Sequence, residues 1–153
     1  MLTSRLKARS SIPMLAIITS IAFAATPSLA ADPWDMLARV DIEETIDGDI
    51  WRAEKTFPPE LVAAAEGFEI EGFLVPILPE AYITTFLLVE DPADCPFCGS
   101  GGYGPTLEVH LKSPLSDIPE FTRVTVRGDL VLIEDPETTQ SARLENAIPI
   151  FRD

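Results

Sequence analysis

Between Phe68 and Ile133 the chain reads as short apolar stretches broken by glycine and proline, with no long helical segment between them. That pattern constrains the fold most. Phe68 to Leu78 is apolar and partly alternating, with Gly72 and Pro76 where a strand can bulge or bend. Ile83 to Val89 is apolar on both faces in its second half, as expected of a central strand. Leu107, Val109 and Leu111 alternate with Glu108, His110 and Lys112, the mark of a half-buried strand with its polar residues outward. Val124 and Val126 begin a further strand, Gly128 allows a bend, and Leu130 to Ile133 continue it. Four or five strands without intervening long helices predict a mainly β protein: a small antiparallel barrel of OB-like type.

The flanks are read differently. Asp32 is a suitable N-cap, with Pro33 at the first helical position, so a short helix is expected up to Val40. Pro58 to Gly67 predicts a second short helix, started by Pro59 and ended by Gly67. Glu43 to Lys55 is charged and carries no assignable pattern. Within it, Asp47-Gly48-Asp49 lacks the spacing and closing glutamate of an EF-hand and reads as a solvated acidic turn. The expected organisation is a secretory signal at 1–30, a lead-in with short helices at 31–66, a barrel core at 67–134 and an irregular C-terminal segment at 135–153.

The signal assignment rests on three features. Arg5, Lys7 and Arg9 form a basic start, Ile12 to Ala25 is an apolar run, and Ser28-Leu29-Ala30 places small residues at a cleavage position. The apolar run falls short of the about 20 residues of a comfortable membrane span. The expected product is exported across the inner membrane to the periplasm, with no membrane insertion after cleavage. Loss of residues 1–30 removes three basic side chains and no acidic one, so the net charge of −14 becomes −17. Such a surface repels phosphate backbones and anionic headgroups, which argues against nucleic acid as a partner.

The only two cysteines stand in Cys95-Pro96-Phe97-Cys98-Gly99. A thiol oxidoreductase would place such a pair at a helix N-terminus to acidify the first thiol. Here the sequel, Gly99-Ser100-Gly101-Gly102-Tyr103-Gly104-Pro105, opposes a helix, and Asp91 and Asp94 oppose thiolate formation. The oxidoreductase reading is therefore the weakest of three. The sequence looks like the knuckle of rubredoxins and zinc ribbons, in which a turn aims two thiolates at one point. A closed zinc site wants four ligands. His110, on the polar face of the next strand, is a candidate third ligand and Asp94 a candidate fourth; alternatively, two chains share their knuckles. The competing reading is a static Cys95–Cys98 disulfide in an oxidising compartment, with the protein serving as a structural or interaction module. Closing a loop of only two residues constrains the unfolded chain little, which favours a chemical role for the pair. Ser100, His110 and Asp117 supply the letters of a catalytic triad without a nucleophile elbow, so no enzyme is expected.

Gly72-Phe73-Leu74-Val75-Pro76-Ile77, then Phe86-Leu87-Leu88-Val89, then Cys95, and finally Val126-Arg127-Gly128-Asp129-Leu130, resemble a family of exported bacterial proteins known only as a domain of unknown function. The resemblance spans about Leu61 to Ile133. In many relatives the cysteine begins a C-x-H-x-P-P-P-P-x-N-Q run; here it begins C-P-F-C-G, and the adjacent histidine is gone. Both loops offer a pair of soft ligands. The resemblance implies an accessory of a membrane transport system.

Overall fold

The structure is a computed structural model describing residues 31–78, 81–91, 105–116 and 118–150. The expected signal segment, 1–30, lies outside these residues. Among the described residues, two short helices and seven strands follow in the order α1 (Pro33–Ala38), β1 (Asp41–Asp47), β2 (Ile50–Thr56), α2 (Pro59–Ala63), β3 (Phe68–Pro76), β4 (Tyr82–Val89), β5 (Thr106–Ser116), β6 (Arg123–Leu132) and β7 (Ala142–Ile150). Strands β3 to β7 form a closed barrel in the order β3-β4-β5-β7-β6, with β6 returning to β3. The mainly β, OB-like expectation holds. The barrel is mixed rather than wholly antiparallel, because β5 and β7 run parallel.

The long first barrel strand closes the sheet on itself. Phe68 to Phe73 pair with β6, while Phe73 to Pro76 pair with β4. The exchange of partners falls at Phe73, next to Gly72, where a Cβ would lie 2.6 Å from the Val89 carbonyl oxygen. Only glycine lets the backbones approach so closely. Alternation then sends Ile70, Leu74, Phe86, Leu88, Leu107, Val109, Val126 and Leu144 into a single core. Both helices pack on that core. Asp32 caps α1 by accepting from the Trp34 amide at 2.8 Å. The Trp34 ring is buried, and its Nε1–H donates to the Glu71 carbonyl oxygen at 2.7 Å. From α2, Leu61 is fully buried.

One segment that the sequence left unassigned and one expected to be irregular both form strands. The charged stretch after α1 is a hairpin, β1–β2, that forms a two-stranded sheet of its own. Its tip is the acidic turn, with Gly48 at φ 63. The C-terminal segment at 135–153, expected to be irregular, contains β7, which bonds to both β5 and β6. The barrel core therefore extends beyond 134 to Ile150. A bulge disguises this strand: Ala142, Leu144 and Ala147 point inward, so the parity changes at Asn146, whose φ is 54. Gly128 on β6 faces the bulge, where a Cβ would meet the Glu145 carbonyl oxygen at 2.5 Å. Among the described residues no helix is long and apolar enough to cross a membrane.

Candidate functional site

Val89 at the end of β4 is paired with Thr106 at the start of β5. The segment 90–105 is therefore the connection of a hairpin, with both roots held side by side on the barrel wall. Asp94, Cys95 and Cys98 belong to it and lie outside the described residues. His110 is described, four positions beyond Thr106, or about 13 Å along the strand. Eight Cα–Cα steps lead from Cys98 to Thr106, enough chain to span up to about 28 Å, so the length of chain permits a return of the knuckle to His110.

His110 points outward, as the alternation of β5 requires, and is half-buried. Its surroundings come from two neighbouring parallel strands. Glu108 precedes it by two positions on the same face, and Glu108 is the ladder partner of Arg143 on β7. Arg143 and Glu145 flank the inward Leu144 and so share the outer wall with His110. His110 Nε2 lies 2.6 Å from Glu108 Oε1, and Nδ1 lies 3.4 Å from Glu145 Oε2. Gln140, from the β6–β7 connection, donates through Nε2 to Glu108 Oε2 at 2.8 Å. Arg143 Nε stands 2.6 Å from Glu145 Oε1 but is not aligned as a hydrogen bond, so that contact acts through charge.

The electrostatic result is clearest at Glu108. The hydrogen bond with His110 is the main influence holding its carboxyl below the ordinary value of 4.5; burial opposes this, while Gln140 and the charges of His110 and Arg143 add to it. At His110 itself the two carboxylates occupy opposite ring nitrogens. They cannot join the imidazole around one ion, and among the described residues no group of three or more His, Cys, Asp or Glu side chains is placed to hold a metal. A neutral imidazole donates from one nitrogen only. With one N–H on a carboxylate and the other nitrogen free, His110 would take the form that metal-ligating histidines adopt. Two thiolates, an imidazole and a carboxylate suit zinc chemically.

A groove of ≈ 390 Å³ runs beside this network. Leu87 of β4, Thr106 and Glu108 of β5, and Gln140 of the β6–β7 connection line it, together with Leu37 of α1 and Pro105 at the root of the cysteine-bearing connection. The network, the groove and that root thus adjoin on one side of the barrel. Sequence reasoning found His110 and its outward direction. It missed Gln140, Arg143 and Glu145, whose strand and approach were hidden by the bulge; the i, i+2 pair Glu108 and His110 was the available signal.

These features define a small OB-like barrel with a polar outer network beside a groove. Comparison with protein-family models, with curated proteins and with solved structures gives no match.

Proposed function

We propose that the chain is an exported, non-enzymatic binding module whose Cys95–Cys98 knuckle holds a soft or borderline metal, zinc foremost, with His110 and Asp94 completing the donor set. The placement of His110 carries this reading. It sits on the outer wall of the strand that leaves the cysteine-bearing connection, with Glu145 and Glu108 each able to orient the ring while the other nitrogen ligates. The acidic chain, at −14, favours capture of cations over anions. The likeness noted above supports a periplasmic role as accessory to a membrane transport system. Within this reading the metal is bound cargo or a structural tie, and no reaction is assigned.

One observation favours a second reading. Both His110 nitrogens already face carboxylates. If that network is permanent, Cys95 and Cys98 are left to a local disulfide and the protein is an interaction module. Zinc titration of the reduced protein separates the two. The metal reading expects Cys98→Ser to abolish binding and His110→Ala to weaken it about tenfold or more, the scale of a lost ligand or orienting group. Unchanged affinity in the His110 variant removes that residue from the site and leaves a knuckle shared between two chains. Absence of binding by the reduced protein ends the metal reading.

A further inference from the structure

The hairpin β1–β2 has a face and an edge that the barrel does not use. Its ties to the barrel side come from β2: the Ala53 amide donates to the Pro136 carbonyl oxygen at 2.8 Å, and Lys55 Nζ to the Asp135 carbonyl oxygen at 2.5 Å. Among the described residues β1 has no bonded strand neighbour except β2. The register fixes the two faces. Ile42/Lys55, Glu44/Ala53 and Ile46/Trp51 share one face, which carries the hairpin's buried and half-buried positions. Asp41/Thr56, Glu43/Glu54, Thr45/Arg52 and Asp47/Ile50 share the other, which is exposed at every position.

That exposed face is unfavourable as it stands. Glu43 and Glu54 are directly opposite, a placement at which like charges destabilise a strand pair. No ion pair reaches either among the described residues. At the tip, Ile50 on this face is 56% exposed, and Ile46 on the opposite face is 75% exposed. A two-stranded ribbon alone is marginally stable in water, and a third strand is the usual remedy.

We infer that the outer edge of β1 docks an extended, lysine- and arginine-rich segment of a partner protein, added as a third strand. Its cations lie over Glu43 and Glu54, and its alternate apolar residues lie toward Ile46. Main-chain bonds supply affinity in such additions, and side chains on alternate positions supply selectivity. Charge chooses the occupant. A second copy of this chain would bring the same acidic face, and anionic lipid is repelled. The inference is independent of the metal site.

The test is a backbone NMR titration of the metal-free protein with a short capped peptide alternating lysine and valine. Its counterpart has proline in place of each valine, with equal charge but fewer strand-forming amides. The alternating peptide is expected to shift and protect amides within 41–47, and the proline peptide to bind far more weakly. Glu43→Lys places a cation opposite Glu54, so it should steady the free hairpin and yet weaken the peptide about tenfold or more, as attraction becomes repulsion. Equal binding of the two peptides would overturn the proposal, because only general charge attraction would then be at work. So would shifts confined to the acidic groove of Asp32, Glu71 and Glu90, self-association through β1 in sedimentation, or no binding by either peptide.

Discussion

Leu144→Ala probes whether β7 closes the barrel. Leu144 is fully buried, with Val109 of β5 and Leu130 of β6 as its ladder partners on either side. Truncation removes three carbons from the middle of a core wall held by two neighbouring strands, where relaxation into the space is restricted. The expected loss is about 3 kcal/mol, within the ~2–5 kcal/mol range of buried leucine truncations. Against a total stability of about 5–15 kcal/mol this is a large fraction. The midpoint of thermal unfolding should fall by roughly 10 °C or more. Ile148→Ala is the companion: it lies on the same strand but is 53% exposed. Its cost should stay near ~0.5 kcal/mol. Urea unfolding followed by tryptophan fluorescence measures both, since Trp34 is buried on the barrel core. The denaturant slope should be unchanged if only native packing is lost. A Leu144→Ala loss no larger than that of Ile148→Ala would refute the role given to β7.

Two further outcomes follow from close contacts. Gly128→Ala should destabilise by about 1–3 kcal/mol in the same assay, because the added Cβ presses on backbone, 2.5 Å from the Glu145 oxygen and 3.0 Å from Ala147 Cα. Glu108→Gln should flatten the acid side of the stability profile. The folded-state pKa of Glu108 is lowered from 4.5, so its contribution is present above that value and is lost as pH falls through the folded value. Urea midpoints taken from neutral pH down to about 3 should therefore decline less steeply in the variant; parallel profiles would show that the His110 and Gln140 contacts do not stabilise the ionised Glu108.

The legible and illegible parts of this chain differ for physical reasons. Strands β3 to β6 declare themselves because they carry large aliphatic or aromatic side chains, alternating as in Leu107, Val109 and Leu111 of β5, or in a continuous run as in Phe86 to Val89 of β4. The caps of α1 were equally plain in Asp32 and Pro33. In β7 the inward residues are Ala142, Leu144 and Ala147: two are small, and the bulge at Asn146 breaks the two-residue period. In β1 and β2 charged residues cover an exposed face, so no apolar rhythm marks the hairpin, and only Gly48 signals its turn. The candidate site divides in the same way. The direction of His110 follows from strand alternation. Its partners Arg143 and Glu145 depend on a parallel pairing between strands more than thirty residues apart, which local pattern does not encode.

The central claim is that Cys95 and Cys98 hold a metal. The measurement is metal analysis by mass spectrometry combined with thiol titration, on protein isolated from the exported fraction under conditions that prevent oxidation. The account predicts stoichiometric zinc, or another borderline metal, and two cysteines that become titratable when a chelator removes it. A metal-free protein with Cys95 and Cys98 joined in a disulfide would contradict it.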